Sequence, residues 1–97
     1  MKLSDLEPGT VVIRTQNIVR IGMVTKENRL HDLAGDTKLV DDLEWIPDID
    51  TWSVLPAEDL ILYTHLPYKT KSFFEVLENP KNIDGALARA RARRVTQ

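Results

Sequence analysis

Carboxylates are the most concentrated chemical group in this sequence. They are Asp32, Asp36, Asp41, Asp42, Glu44, Asp48, Asp50, Glu58 and Asp59, and residues 32–59 hold only one lysine among these nine acids. Such a density can attract a basic protein surface or imitate nucleic-acid phosphates. Solvation of loops and strand edges is the alternative explanation, because charges there also block edge-to-edge pairing.

The acidic residues do not have the spacing of a metal site. A calcium loop starting at Asp48 would need a glycine at its sixth position, where Ser53 stands. His31 and His65 are the only imidazoles, and no set of three or four ligands has zinc-site spacing. We therefore expect solvated loop carboxylates, with no metal and no cofactor.

Catalytic motifs are also missing from the sequence. The chain has no cysteine, which excludes disulfides, thiolate metal sites and a cysteine nucleophile. It has no Gly-x-Ser-x-Gly elbow and no phosphate-binding glycine loop. Adjacent acids such as Asp41 and Asp42 would point to opposite faces of a strand. The sequence predicts a protein that is not an enzyme and has no catalytic residues.

Arginines provide a second candidate chemistry, the binding of nucleic-acid phosphates. The candidate residues are Arg14, Arg20 and Arg29 in the first hairpins and Arg89, Arg91, Arg93 and Arg94 near the C-terminus. Arginine contacts to phosphate would give affinity without sequence reading. The isoelectric point of about 5.6 and the acidic middle oppose this, so nucleic-acid binding is the alternative hypothesis.

An acidic segment that includes a tryptophan favours protein binding instead. Trp45 stands at a predicted strand end, and Phe74 follows Phe73 on a predicted helix, where one ring can dock and the other can face a partner. The acids would steer a basic surface, and the apolar side chains would supply buried contact. The predicted protein-binding residues are Asp41, Asp42, Glu44, Trp45, Ile46, Asp48, Asp50 and Phe74.

Turn signals divide the first two thirds of the chain into short apolar runs. A 3₁₀ turn opened by Pro56 should precede the last strand, and Trp52 should lie in the core. Gly22 inside the second run predicts a bulge or bend. Segment 38–46 fits a strand or a helix, and we favour the strand. Strands are predicted at residues 10–15, 18–25, 29–33, 51–55 and 60–64.

Residues after Pro67 have a helical pattern. A helix is predicted over residues 71–78, with Ser72 as its N-cap and an end at Asn79 because Pro80 follows. A second helix, capped by Asn82 or Asp84, should run to about Val95. Its apolar stripe, whose docking should be weak, is Ile83, Ala86, Leu87 and Ala90.

The order of predicted turns and strands resembles that of an SH3-like small β-barrel. Leu6, Pro8-Gly9 and the valines that follow match the usual entry into such barrels. Residues 52–63, with a tryptophan strand, a 3₁₀ turn and a short last strand, match the usual exit. The resemblance implies a mainly β fold, an antiparallel barrel of five or six strands over residues 1–66. Residues 67–97 would be a C-terminal extension with one or two helices.

Size and composition complete the expectations from sequence. The chain has 97 residues and a net charge of −2, and we expect neither a leader signal nor a membrane-spanning run. We expect a small cytoplasmic accessory or phage-encoded protein, an adaptor or inhibitor that binds and occludes a host protein with a basic surface. Self-association between the acidic middle and the basic end is a further possibility.

Overall fold

The described residues form an antiparallel five-stranded sheet with short helices, a mainly β fold. The computed structural model describes residues 5–16, 18–26, 29–37, 52–81 and 83–88. The sheet has the order β4-β1-β2-β3-β5. A 3₁₀ helix (Ala57–Tyr63) and an α-helix, α1 (Lys71–Glu78), pack on it, and residues 84–88 are helical. The strands are β1 (Val11–Arg14), β2 (Arg20–Lys26), β3 (Arg29–Gly35), β4 (Ser53–Val54) and β5 (Tyr68–Lys69).

The turn before β1 depends on a glycine. Gly9 has a φ of +97°, a conformation that residues with a β-carbon rarely adopt. Its N–H donates to the carbonyl of Val24 at 2.7 Å, which joins the turn to β2. A β-carbon at Gly9 would also lie 2.6 Å from Cδ1 of Ile83. The predicted Pro8-Gly9 turn is therefore confirmed, with Ile83 packed closely over it.

The irregularity predicted at Gly22 is confirmed, although the extra residue belongs to β3. Ile21 lies opposite Ala34, whereas Gly22 lies opposite Asp32, so Leu33 has no partner of its own. In such a bulge two consecutive side chains can point to the same side of the sheet. Leu33 and Ala34 accordingly belong to the same buried cluster.

The two faces of the sheet bury different clusters. The side of Ile13 and Met23 packs against Leu60, Phe73 and other helix residues, and we call it the helix face. The opposite side buries Val12, Val24 and Leu30 under Trp52, with Leu6 packed beside them, and we call it the Trp52 face. Trp52 is 6% exposed, so its predicted place in the core is confirmed.

The predicted strand at residues 60–64 is wrong, because the 3₁₀ helix continues through Tyr63. A strand would place Leu60 and Leu62 on one side. In the structure Leu60 is buried but Leu62 is 64% exposed. Side chains three residues apart are eclipsed in a 3₁₀ helix, so Ala57, Leu60 and Tyr63 form one row that packs into the core. Helical period therefore outweighs the strand propensity of this run.

Helix α1 has the predicted bounds but a different N-cap. Thr70 is the N-cap, and its Oγ1 accepts from the N–H of Phe73 at 3.4 Å. Ser72, the predicted cap, is instead 1% exposed and turned toward β3. The helix ends at Asn79 as predicted, because a residue before proline avoids helical angles.

The segment after Pro67 joins the same sheet and core. Strand β5 pairs with β3, so that Ala34 lies opposite Lys69, and the sequence did not predict this strand. Phe73, Val76 and Ala86 share the buried cluster with β1 and β2. Segment 38–46, Asn82 and the predicted helix beyond residue 88 lie outside the described residues.

Candidate interaction surface

Phe74 is the only member of the predicted protein-binding set among the described residues. Its ring is 49% exposed, while the neighbouring Phe73 is fully buried. The two rings meet edge to face, with centroids 5.5 Å apart and planes at 85°. Consecutive helical residues point about 100° apart, which explains this division. The other members lie outside the described residues: Asp41, Asp42, Glu44, Trp45, Ile46, Asp48 and Asp50.

Two of the arginines predicted to bind nucleic acid contact groups within the chain. Arg14 and Arg20 lie opposite each other on β1 and β2. The Arg14 guanidinium lies 5.5 Å from the centroid of the Trp52 ring, and Nη2 of Arg20 donates to both carboxylate oxygens of Asp32 at 2.9 Å. A phosphate would have to compete with Trp52 and Asp32 for these groups.

Of the remaining candidate arginines, the structure describes Arg29. Arg29 is half-buried at the start of β3, where it lies opposite Lys26. Arg89, Arg91, Arg93 and Arg94 lie outside the described residues. Nucleic-acid binding therefore stays a prediction; of the three proposed arginines that the structure describes, Arg14 and Arg20 lie together.

Buried polar side chains connect β3 to α1. His31 Nε2 lies 3.0 Å from Ser72 Oγ, and the two residues are 2% and 1% exposed. Thr70 Oγ1 lies 3.1 Å from the carbonyl oxygens of Asp32 and Leu33. A serine–histidine pair can serve as nucleophile and base, but burial keeps substrates away from this pair. Its evident effect is to fix α1 on the sheet.

The 3₁₀ helix exposes two large aliphatic side chains. Ile61 and Leu62 are each 64% exposed, because they occupy the two rows that point away from the core. Helix α1, which carries Phe74, packs against this 3₁₀ helix. We call Ile61, Leu62 and Phe74 the apolar surface. The sequence predicted a strand over residues 60–64, whereas a three-residue period would have identified the exposed pair.

Carboxylates precede both exposed aliphatic residues at the same spacing. Glu58 stands three residues before Ile61, and Asp59 three residues before Leu62, so each pair shares a row of the 3₁₀ helix. Three residues rise about 6 Å, which places each carboxylate one turn from its aliphatic neighbour. Among the described residues, none forms an ion pair with Glu58 or Asp59. The rows therefore combine an apolar group with a negative charge.

Metal binding and membrane crossing are two further possibilities for the described part of the chain. No group of three or more His, Asp or Glu residues there could hold a metal ion. No helix there is long and apolar enough to cross a membrane. Ile61 and Leu62 are exposed neighbours on the 3₁₀ helix, and clustered exposed apolar side chains often mark interaction sites.

Comparison with known proteins adds no relative from which a role could be transferred. No protein-family model matches the chain, and neither a curated protein nor a solved structure matches it significantly. The candidate function must therefore rest on the residues and contacts described above.

Proposed function

We propose that this chain is a non-catalytic module that binds another protein and occludes part of its surface. The observation that carries the proposal is the 64% exposure of Ile61 and Leu62 on a short helix whose third row is fixed in the core. Apolar side chains held on a rigid support can be buried by a partner at little entropic cost. Such a role suits a small accessory or phage-encoded inhibitor or adaptor working in the cytoplasm.

Capture from a bacterial lysate tests this proposal. The tagged full chain is compared with a variant carrying Ile61→Ser and Leu62→Ser, and with a control carrying Ile18→Ser and Val54→Ser. The control residues are also exposed, at 37% and 51%, but lie elsewhere on the fold. Circular dichroism checks that each variant folds.

The expected result is a stoichiometric protein that survives nuclease, is lost with the Ile61/Leu62 variant and is retained by the control. Equal capture by all three chains would overturn the proposal, because binding would not depend on the apolar surface. A preparation in which no protein is captured would overturn it as well. Material that disappears with nuclease would move nucleic-acid binding to first place.

For the fold, we propose that the sheet curves into the SH3-like barrel that the sequence resembles. Supporting features are the β1-β2-β3 meander and the bulge at Gly22, since bulges increase local bending and twist. Closure would bring the two edge strands, β4 and β5, together. Amide contacts across that edge in nuclear magnetic resonance spectra would support a barrel, and their absence would leave an open sheet.

A further inference from the structure

The surroundings of the apolar surface are acidic. Residues 57–68 contain Glu58 and Asp59 but no lysine or arginine. The next residue, Lys69, directs its ammonium group to the carbonyl of Leu66. The hydrogen bond holds this ammonium group at the backbone just before β5, and among the described residues neither Glu58 nor Asp59 has an ion-pair partner.

Helix α1 adds one cation, Lys71, and two carboxylates, Glu75 and Glu78. Lys71 and Glu78 are exposed and lie three residues before and four residues after Phe74, which places them on the same side of the helix. Their charges offset each other. Over residues 57–78 four carboxylates outnumber two lysines, so the formal charge of this stretch is −2.

We propose that the apolar surface recognises a basic amphipathic segment of the partner, with apolar side chains flanked by lysine or arginine. This inference rests on the proposed function and names the chemistry of its partner. Apolar residues of the segment would cover Ile61, Leu62 and Phe74. Its cations would approach Glu58 and Asp59, one helical turn away, and complementary charge raises association rates as well as specificity.

Two synthetic peptides serve as probes for the full chain. One is a labelled helical peptide of about 16 residues in which leucines occupy one face and lysines the other. The second has glutamate in place of every lysine. Fluorescence anisotropy at low and at high salt measures their dissociation constants, and the difference between the peptides isolates the contribution of charge.

Variants locate the binding on the protein. Ile61→Ser with Leu62→Ser should weaken binding of the lysine peptide about 10-fold, which corresponds to a loss of about 1.4 kcal/mol in binding free energy. Glu58→Gln should weaken it about 3-fold and reduce its salt dependence. Glu7→Gln is the matched control, because Glu7 is an exposed carboxylate that follows Leu6 on the Trp52 side of the molecule. It should change the affinity by less than about 1.5-fold, as expected for an exposed charge remote from the contact.

Each possible result either supports or overturns the inference. Preference for the lysine peptide, lost with the Ile61/Leu62 variant and reduced by Glu58→Gln, supports it. Equal binding of both peptides, or lysine-peptide binding that ignores the Ile61/Leu62 variant, overturns it. Sedimentation showing a dimer that the Ile61/Leu62 variant abolishes would assign the surface to a second copy. If neither peptide binds but lysate capture still requires Ile61 and Leu62, the inference fails while the proposed function stands.

Discussion

The Trp52 face and the apolar surface differ in which chemical groups remain available to a partner. On the Trp52 face, Asp32 is fully buried and pairs with Arg20, and Arg14 lies over an aromatic ring. On the apolar surface, Ile61 and Leu62 are exposed. Charged groups that are satisfied inside the chain are less available to an external ligand, whereas exposed aliphatic groups gain free energy when a partner covers them. The comparison favours recognition through the apolar surface.

Consecutive phenylalanines give the largest expected contrast between buried and exposed positions. Phe73→Ala should lower the free energy of unfolding by about 3–5 kcal/mol, because a fully buried ring is lost from the core. Phe74→Ala, the matched control, should cost less than about 1 kcal/mol. Urea denaturation measures both values. Equal losses would show that Phe74 is a packing residue and would remove it from the apolar surface.

Breaking the ion pair on the Trp52 face should give the second-largest loss of stability. Asp32→Asn should destabilise the fold by about 3 kcal/mol, because the half-buried Arg20 loses its counter-charge. The exposed Glu78→Gln is the control. Chemical denaturation checks the values, and the double variant Arg20→Met with Asp32→Leu should recover part of the loss. An unchanged stability of Asp32→Asn would mean that Arg20 is free to meet an external anion.

Removing the hydrogen bond between β3 and α1 should give a smaller loss of stability. Ser72→Ala should cost about 1–2 kcal/mol, because the buried His31 Nε2 loses its hydrogen-bond partner on the helix. Ser53→Ala, an exposed serine on β4, should be nearly neutral. Imidazole resonances provide the readout beside stability, since the chain has only two histidines. A shift confined to His31 is expected, and no shift would contradict the contact.

Replacing the glycine of the turn before β1 should give the smallest loss of stability. Gly9→Ala should cost about 1 kcal/mol, because its positive φ is strained for alanine and its β-carbon would press on Ile83. Gly85→Ala is the matched control, since its nearest atom would lie 3.9 Å away. In a helix this change should be neutral or slightly stabilising. Thermal denaturation compares the two, and an equally stable Gly9 variant would disprove close packing over the turn.

Local signals in the sequence determined several elements on their own. Short apolar runs between turn signals predicted β1, β2 and β3, and the helix over residues 71–78 ends where Pro80 requires it. These elements depend on steric preferences and capping of neighbouring residues, which a sequence displays directly. The predicted protein-binding segment 41–50 lies outside the described residues and stays a prediction.

Tertiary packing decided what the local signals left ambiguous. Leu60 and its neighbours have strand propensity, yet the row they form with Ala57 fills the core as a 3₁₀ helix and exposes Ile61. Ser72 is a good N-cap type, but burial against His31 uses its hydroxyl and Thr70 caps the helix. Contacts between residues far apart in the chain set these outcomes, because burying a side chain outweighs the small differences among local conformations.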